Sequence, residues 1–128
     1  MSIININLLS TMVANQLSSI IRGIPTEDRV LIAVPNDGGV TSSGLYIPNT
    51  AKEELPRKGV IVKIGEITPE YRSYWSIMDI GTVVTHGLYA GKEVELSEVP
   101  KEISDNNKFM VIHVNECIFI EPNKEWLS

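Results

Sequence analysis

Two histidines and one cysteine are the side chains in this chain best suited to catalysis or metal binding. His86 and His113 lie far apart, and His113 stands four positions before Cys117 with an Asn115-Glu116 turn between them. A structural metal site needs more ligands than these, and no second cysteine or His-x-x-x-His supplies them. Asp28 and Arg29 are adjacent, which in a strand sends them to opposite faces. No Walker loop, Gly-x-Ser-x-Gly elbow or Rossmann fingerprint occurs. Gly38, Gly39 and Gly44 suggest a phosphate cradle only until Leu45 and Pro48, because a cradle leads straight into a helix N-terminus. Tyr71, Tyr74 and Trp75 read first as a packing cluster and second as a small binding patch. No catalytic residue, metal or cofactor is expected, and the chain does not read as an enzyme.

The chemistry that does stand out is recognition. From Asn36 to Lys58 the chain is small, polar and glycine-rich around one apolar triplet, Leu45-Tyr46-Ile47, which Pro48 stops. Gly38, Gly39 and Gly44 leave the backbone entropically loose. Taken alone, the stretch reads first as a hairpin with Leu45–Ile47 as its second strand. The other reading is a bait that orders when a partner's groove takes it.

The elements around this stretch are those of one domain of 128 residues with an ordinary balance of 43% apolar and 21% charged residues. A net charge of −5 and the lack of a basic stripe disfavour nucleic-acid binding. A single cysteine permits no internal disulfide, which fits a reducing compartment. The first 21 residues carry no charged side chain, yet Asn5, Asn7, Asn15, Gln16 and several serines make them too polar for a membrane span. A soluble, cytoplasmic protein is expected. Apolar residues from Ile4 to Ile24 recur in steps of three and four, predicting an amphipathic helical extension over 1–24 with Gly23 as its C-cap. Strands are expected at Arg29–Val34, Gly59–Ile64, Thr82–Thr85, around Val94, at Phe109–Val114 and at Cys117–Ile120. Glu66–Met78 reads as an exposed excursion or small hairpin, Ser97–Asn107 as a loop, and 123–128 as a frayed tail. Short strands with glycine turns point to a mainly β fold, a small irregular barrel over 25–122.

In that order the pieces resemble the GroES-type co-chaperonins. Pro25-Thr26-Glu27-Asp28-Arg29-Val30 is similar to that family's Pro-x-x-Asp-Arg-Val opening strand, and Gly44-Leu45-Tyr46-Ile47-Pro48 to its mobile-loop tripeptide. Arg57–Gly65 looks like the returning strand, Ile80-Gly81-Thr82-Val83-Val84 like the Val-Gly-Asp-x-Val element, and Asn115–Ile120 like the closing Asp-Ile-Leu-Ala-Ile strand. The resemblance implies a GroES-like barrel with a mobile loop over 36–58 and a roof-type hairpin over 66–78. It implies a sevenfold ring whose first and last strands pair between neighbours, with Ile24, Val30, Phe119 and Ile120 at the seam. Leu45, Tyr46 and Ile47 would bind a GroEL-type chaperonin, with Gly38, Gly39 and Gly44 supplying flexibility. ATP would be bound and hydrolysed by that partner, and unfolded clients would be met only indirectly.

The helical extension, the long stretch from Glu93 to Lys108 and Ser43-Gly44 in place of a double glycine depart from the family pattern. Such departures would suit a virus-encoded or otherwise specialised member. The competing reading is a structural β-barrel assembly module, such as a viral particle subunit, with no chaperonin partner.

Overall fold

The fold, seen in a computed structural model, is described for residues 8–36, 57–74, 77–87 and 90–122. Six strands form one antiparallel sheet: β1 (Arg29–Pro35), β2 (Arg57–Ile64), β3 (Val83–His86), β4 (Lys92–Val94), β5 (Asn107–His113) and β6 (Cys117–Glu121). Their order is β4-β5-β1-β2-β3-β6. Helix α1 (Thr11–Ile20) precedes the sheet, and the short helix α2 (Lys101–Ser104) lies between β4 and β5. The sheet curls: Gly91, just before β4, donates its N–H to the Glu116 carboxylate just before β6 at 3.3 Å. The result is the mainly β, small irregular barrel expected from the strand pattern.

β1 is the central strand, paired with β2 on one side and β5 on the other. Its residues Val30 to Pro35 are all buried, and alternate ones serve opposite faces of the sheet. Val30, Ile32 and Val34 pack with Ile61, Val84, Ile112 and Val114 on the inner face. Leu31 and Ala33 pack with Val60, Val62 and Phe109 on the other.

That outer face is closed by the helical extension and by the stretch from Glu93 to Lys108. Ser10 caps α1, its hydroxyl accepting from Val13 N–H at 3.2 Å. Ala14, Leu17 and Ile21, spaced three and four apart, are buried against the sheet. The connection from β4 to β5 adds Val99 to the same cluster, and the Glu98 carboxylate accepts from Arg22 N–H at 3.1 Å. That N–H lowers the Glu98 pKa from its ordinary value. Leu17→Ala is expected to cost about 2–5 kcal/mol, since it leaves a cavity under the helix. Urea unfolding checks this; an unchanged midpoint would mean the helix is not part of the cooperative core.

Four local features differ from what the pattern suggests. The helix spans Thr11–Ile20, shorter than the apolar periodicity from Ile4 to Ile24, with residues 1–7 outside the described residues. Its C-cap is Ile21 in extended geometry rather than Gly23; the β-branched pair Ile20-Ile21 weakens the last turn. Ser97–Asn107 contains α2, begun at Pro100, which has no backbone N–H to leave unpaired. Over 66–78 the described residues form no strand pair: Pro69–Tyr74 is a 3-10 segment. Pro69 cannot donate to a ladder. The buried Asp28 carboxylate, on a residue at φ 60°, holds Thr68 through its N–H at 2.7 Å and its hydroxyl at 2.9 Å. Ile67 and Met78 are buried, and Tyr71 and Tyr74 pack on the inner core, so the excursion folds back onto the barrel.

Candidate functional site

Gly38, Gly39, Gly44, Leu45, Tyr46 and Ile47 lie outside the described residues, which stop at Asn36 and resume at Arg57. The described structure does place the two roots of that stretch. Asn36 continues from β1, with its backbone N–H on Asn106 O at 3.0 Å and its side chain donating to Asp105 O at 2.7 Å. Arg57 opens β2, paired with His86 of β3. Both roots therefore leave from neighbouring strands at one end of the barrel.

The residues expected at a subunit seam are distributed unevenly. Ile24 is 70% exposed on the extended segment between α1 and β1, which pairs with no described strand. It borders an apolar pocket of about 170 Å³ shared with Ile21, Leu31, Val94, Leu96 and Val111. Phe119 is 63% exposed on β6, which among the described strands is an edge strand bonded only to β3. Ile120 is half-buried, opposite Val84 and packed on the inner core. Val30 departs from the expectation: it is fully buried within the single chain, on a strand whose two edges are both occupied. It is a core residue, because β1 sits in the centre of the sheet. Sequence reasoning missed Ile118, 64% exposed beside Phe119. Adjacent strand residues point to opposite faces, so β6 offers apolar side chains on both sides of an unpaired edge. Such an edge invites pairing with another chain. Its sequence signal was the run Ile118-Phe119-Ile120 without a polar residue to mark a solvent face.

Most of the side chains singled out for chemistry fall among the described residues. Burial and, secondarily, Glu116 push the Cys117 thiol up to about 12, so it is no nucleophile at neutral pH. The His113 ring accepts from Asn115 N–H at 3.1 Å and meets the edge of Tyr71 at 5.0 Å, acting as a cap for the turn before β6. Tyr71 and Tyr74, 6.3 Å apart, are packing residues, and Trp75 lies outside the described residues. Asp28 turns to Thr68, while Arg29 donates to Thr26 Oγ1 at 2.8 Å. Among the described residues no group of three His, Cys, Asp or Glu could hold a metal ion, and no helix is long and apolar enough to cross a membrane.

Among the described residues His86 is the one buried titratable ring, with its Nδ1 2.9 Å from Gly87 O. Burial lowers its pKa from 6.5, against the opposing pull of the Gly87 carbonyl. A native pKa below the unfolded one means the unfolded chain takes up the proton first. This stabilising contribution is intact above pH 6.5 and is lost as pH falls through the native value. Urea midpoints should therefore drop between pH 7.5 and 5.5, and by less in His86→Gln. Equal drops in both proteins would contradict a buried neutral His86.

The family model described as Chaperonin 10 Kd subunit matches residues 23–119. The chain is 31% identical over 96 residues to the co-chaperonin GroES of Porphyromonas gingivalis, covering 75% of this chain and 94% of that protein. To that of Bacteroides fragilis it is 39% identical over 96 residues, covering 75% and 93%. To that of Citrifermentans bemidjiense it is 36% identical over 74 residues, covering 56% and 76%. The matched span begins just after α1 and takes in all six strands almost to the end of β6, and on that breadth the chain belongs to the Chaperonin 10 Kd subunit family.

Proposed function

We propose that the protein is a co-chaperonin: a ring of identical subunits that caps a GroEL-type chaperonin in an ATP-dependent manner and encloses its folding chamber. The match over residues 23–119 carries this reading. In it, each subunit offers its 36–58 loop, and Leu45 and Ile47 enter an apolar groove of the partner. Tyr46 faces the other way if the bound segment is extended. Burying each aliphatic side chain contributes about 1.5–3 kcal/mol, and ordering the loop offsets this by roughly 1–2 kcal/mol per residue. One loop is a weak ligand; several on one ring gain avidity of roughly 10²–10⁴ and still permit release. Nucleotide chemistry belongs to the partner, and the protein works in the cytoplasm without metal or cofactor.

The ring, a heptamer in this reading, is supported by the monomer's own surface. Among the described residues, β6 has an unpaired edge with Ile118 and Phe119 exposed, and the segment carrying Ile24 pairs with no strand. Joining β6 of one subunit to residues 21–26 of the next would satisfy both. α1 ends one residue before that segment, so the extension fixes where it starts.

The test is refolding of a client that needs both chaperonin and lid. With GroEL-type chaperonin and ATP, adding this protein should raise the native yield severalfold. A yield no higher than with chaperonin and ATP alone, across several chaperonins, would contradict the reading in favour of a structural assembly subunit.

A further inference from the structure

The inner face of the barrel ends, where β1 finishes and β2 begins, in a pocket of about 160 Å³ lined by both apolar and charged side chains. Strand register explains its lining. Lys108 stands opposite Val34, Glu93 opposite Met110, and Arg57 opposite His86, so all project on the face that lower down holds the apolar core. Three observations there lack a partner. His86 is 1% exposed, and its Nε2 has no hydrogen bond although it is shielded from solvent. Arg57 and Lys108 form no ion pair among the described residues. Glu93 is the single carboxylate among the described lining residues, and it pairs with neither cation. Buried polar groups are ordinarily satisfied, so an orphaned imidazole nitrogen beside two unpaired cations calls for a ligand.

We propose that this pocket binds a small oxyanion of the inorganic phosphate class, held by Arg57 and Lys108 and by His86 Nε2–H. Gly87 O can only accept, so Nδ1 carries the proton of the neutral ring and Nε2 is left bare. Binding an anion therefore requires His86 to take up one proton from solvent, which turns Nε2 into a charge-assisted donor. The volume suits this, because a water occupies about 30 Å³ in the liquid and a small oxyanion is only a few times larger. The charged and titratable groups around the ring are Arg57 on β2, Lys108 on β5, Glu93 on β4, and Glu116 and Cys117 at the start of β6. Burial and Arg57 hold the empty-state ring neutral, with Glu116 opposing. An anion between the two cations reverses that balance. The site joins the last residues of β1 to the first of β2, independently of whether the loop between them meets a chaperonin.

The experiment follows the two histidine rings by NMR through a pH titration of the full chain, in phosphate and in chloride at matched ionic strength. His113, on the turn before β6, is the internal control. Phosphate should raise the His86 midpoint by about one unit, a tenfold change in proton affinity, and leave His113 unmoved. The Arg57→Gln/Lys108→Gln double variant should keep its fold and lose the shift. If phosphate moves neither ring, or both equally, the site is overturned. A His86 shift that survives the double substitution also overturns it, because the two cations would then not hold the anion.

Discussion

Rings carrying Ile47→Asp are expected to lose chaperonin binding altogether. The substitution puts a carboxylate where the proposal has an aliphatic side chain entering an apolar groove, and a carboxylate cannot be desolvated there without a partner charge. Per loop this forfeits the apolar contact, roughly 1.5–3 kcal/mol, and adds a desolvation cost. The ring then multiplies the loss: once single loops fall below useful affinity, avidity of about 10²–10⁴ disappears with them. Binding of nucleotide-loaded chaperonin to immobilised ring, wild type against Ile47→Asp, measures it, and Tyr46→Ala should do less harm. Retained binding by Ile47→Asp would move the contact out of the triplet.

Gly65→Ala is expected to cost stability heavily. A Cβ there would lie 2.5 Å from Thr26 O, 2.6 Å from Pro25 O and 3.0 Å from Arg29 O. All three are backbone atoms, which cannot swing aside as a side chain would. The Gly65 N–H also donates to Arg29 O at 2.9 Å, tying the end of β2 to the start of β1. Relief of the clash must pull these apart, at roughly 3 kcal/mol or more. Because residues 21–26 run into this junction, the variant should also weaken the ring. Urea unfolding with sedimentation velocity checks both; a variant as stable and as assembled as wild type would mean the close approach is not rigid.

How legible this fold was depends on how each element is buried. β1, β2, β5 and β6 were visible because Arg-Val-Leu-Ile-Ala-Val, Gly-Val-Ile-Val-Lys-Ile, Phe-Met-Val-Ile-His-Val and Cys-Ile-Phe-Ile are runs of aliphatic and β-branched residues. The same continuity hid what each residue faces. The resemblance put Val30 at a seam when it is core, and a strand buried on both sides has no alternation that could have corrected this. Ile118 was passed over for the same reason in reverse, on a strand exposed on both sides. The face of α1 was readable from the spacing of Ala14, Leu17 and Ile21, while its docking partner was not. Val99 and Glu98 come from a stretch some eighty residues later that has no periodicity of its own. α2 is too short for a helical pattern to register. The pocket at His86 was out of reach, because it depends on strand register, which brings Arg57, Glu93 and Lys108 to one place. The loop triplet, by contrast, stood out through composition alone.

The central claim is met most directly by size exclusion of this protein with a GroEL-type chaperonin, run without nucleotide, with ADP and with ATP. The account predicts co-elution only in the nucleotide lanes, and a free protein that runs as a ring. A free protein that runs as a monomer, with no co-elution in any lane across several chaperonins, would contradict it.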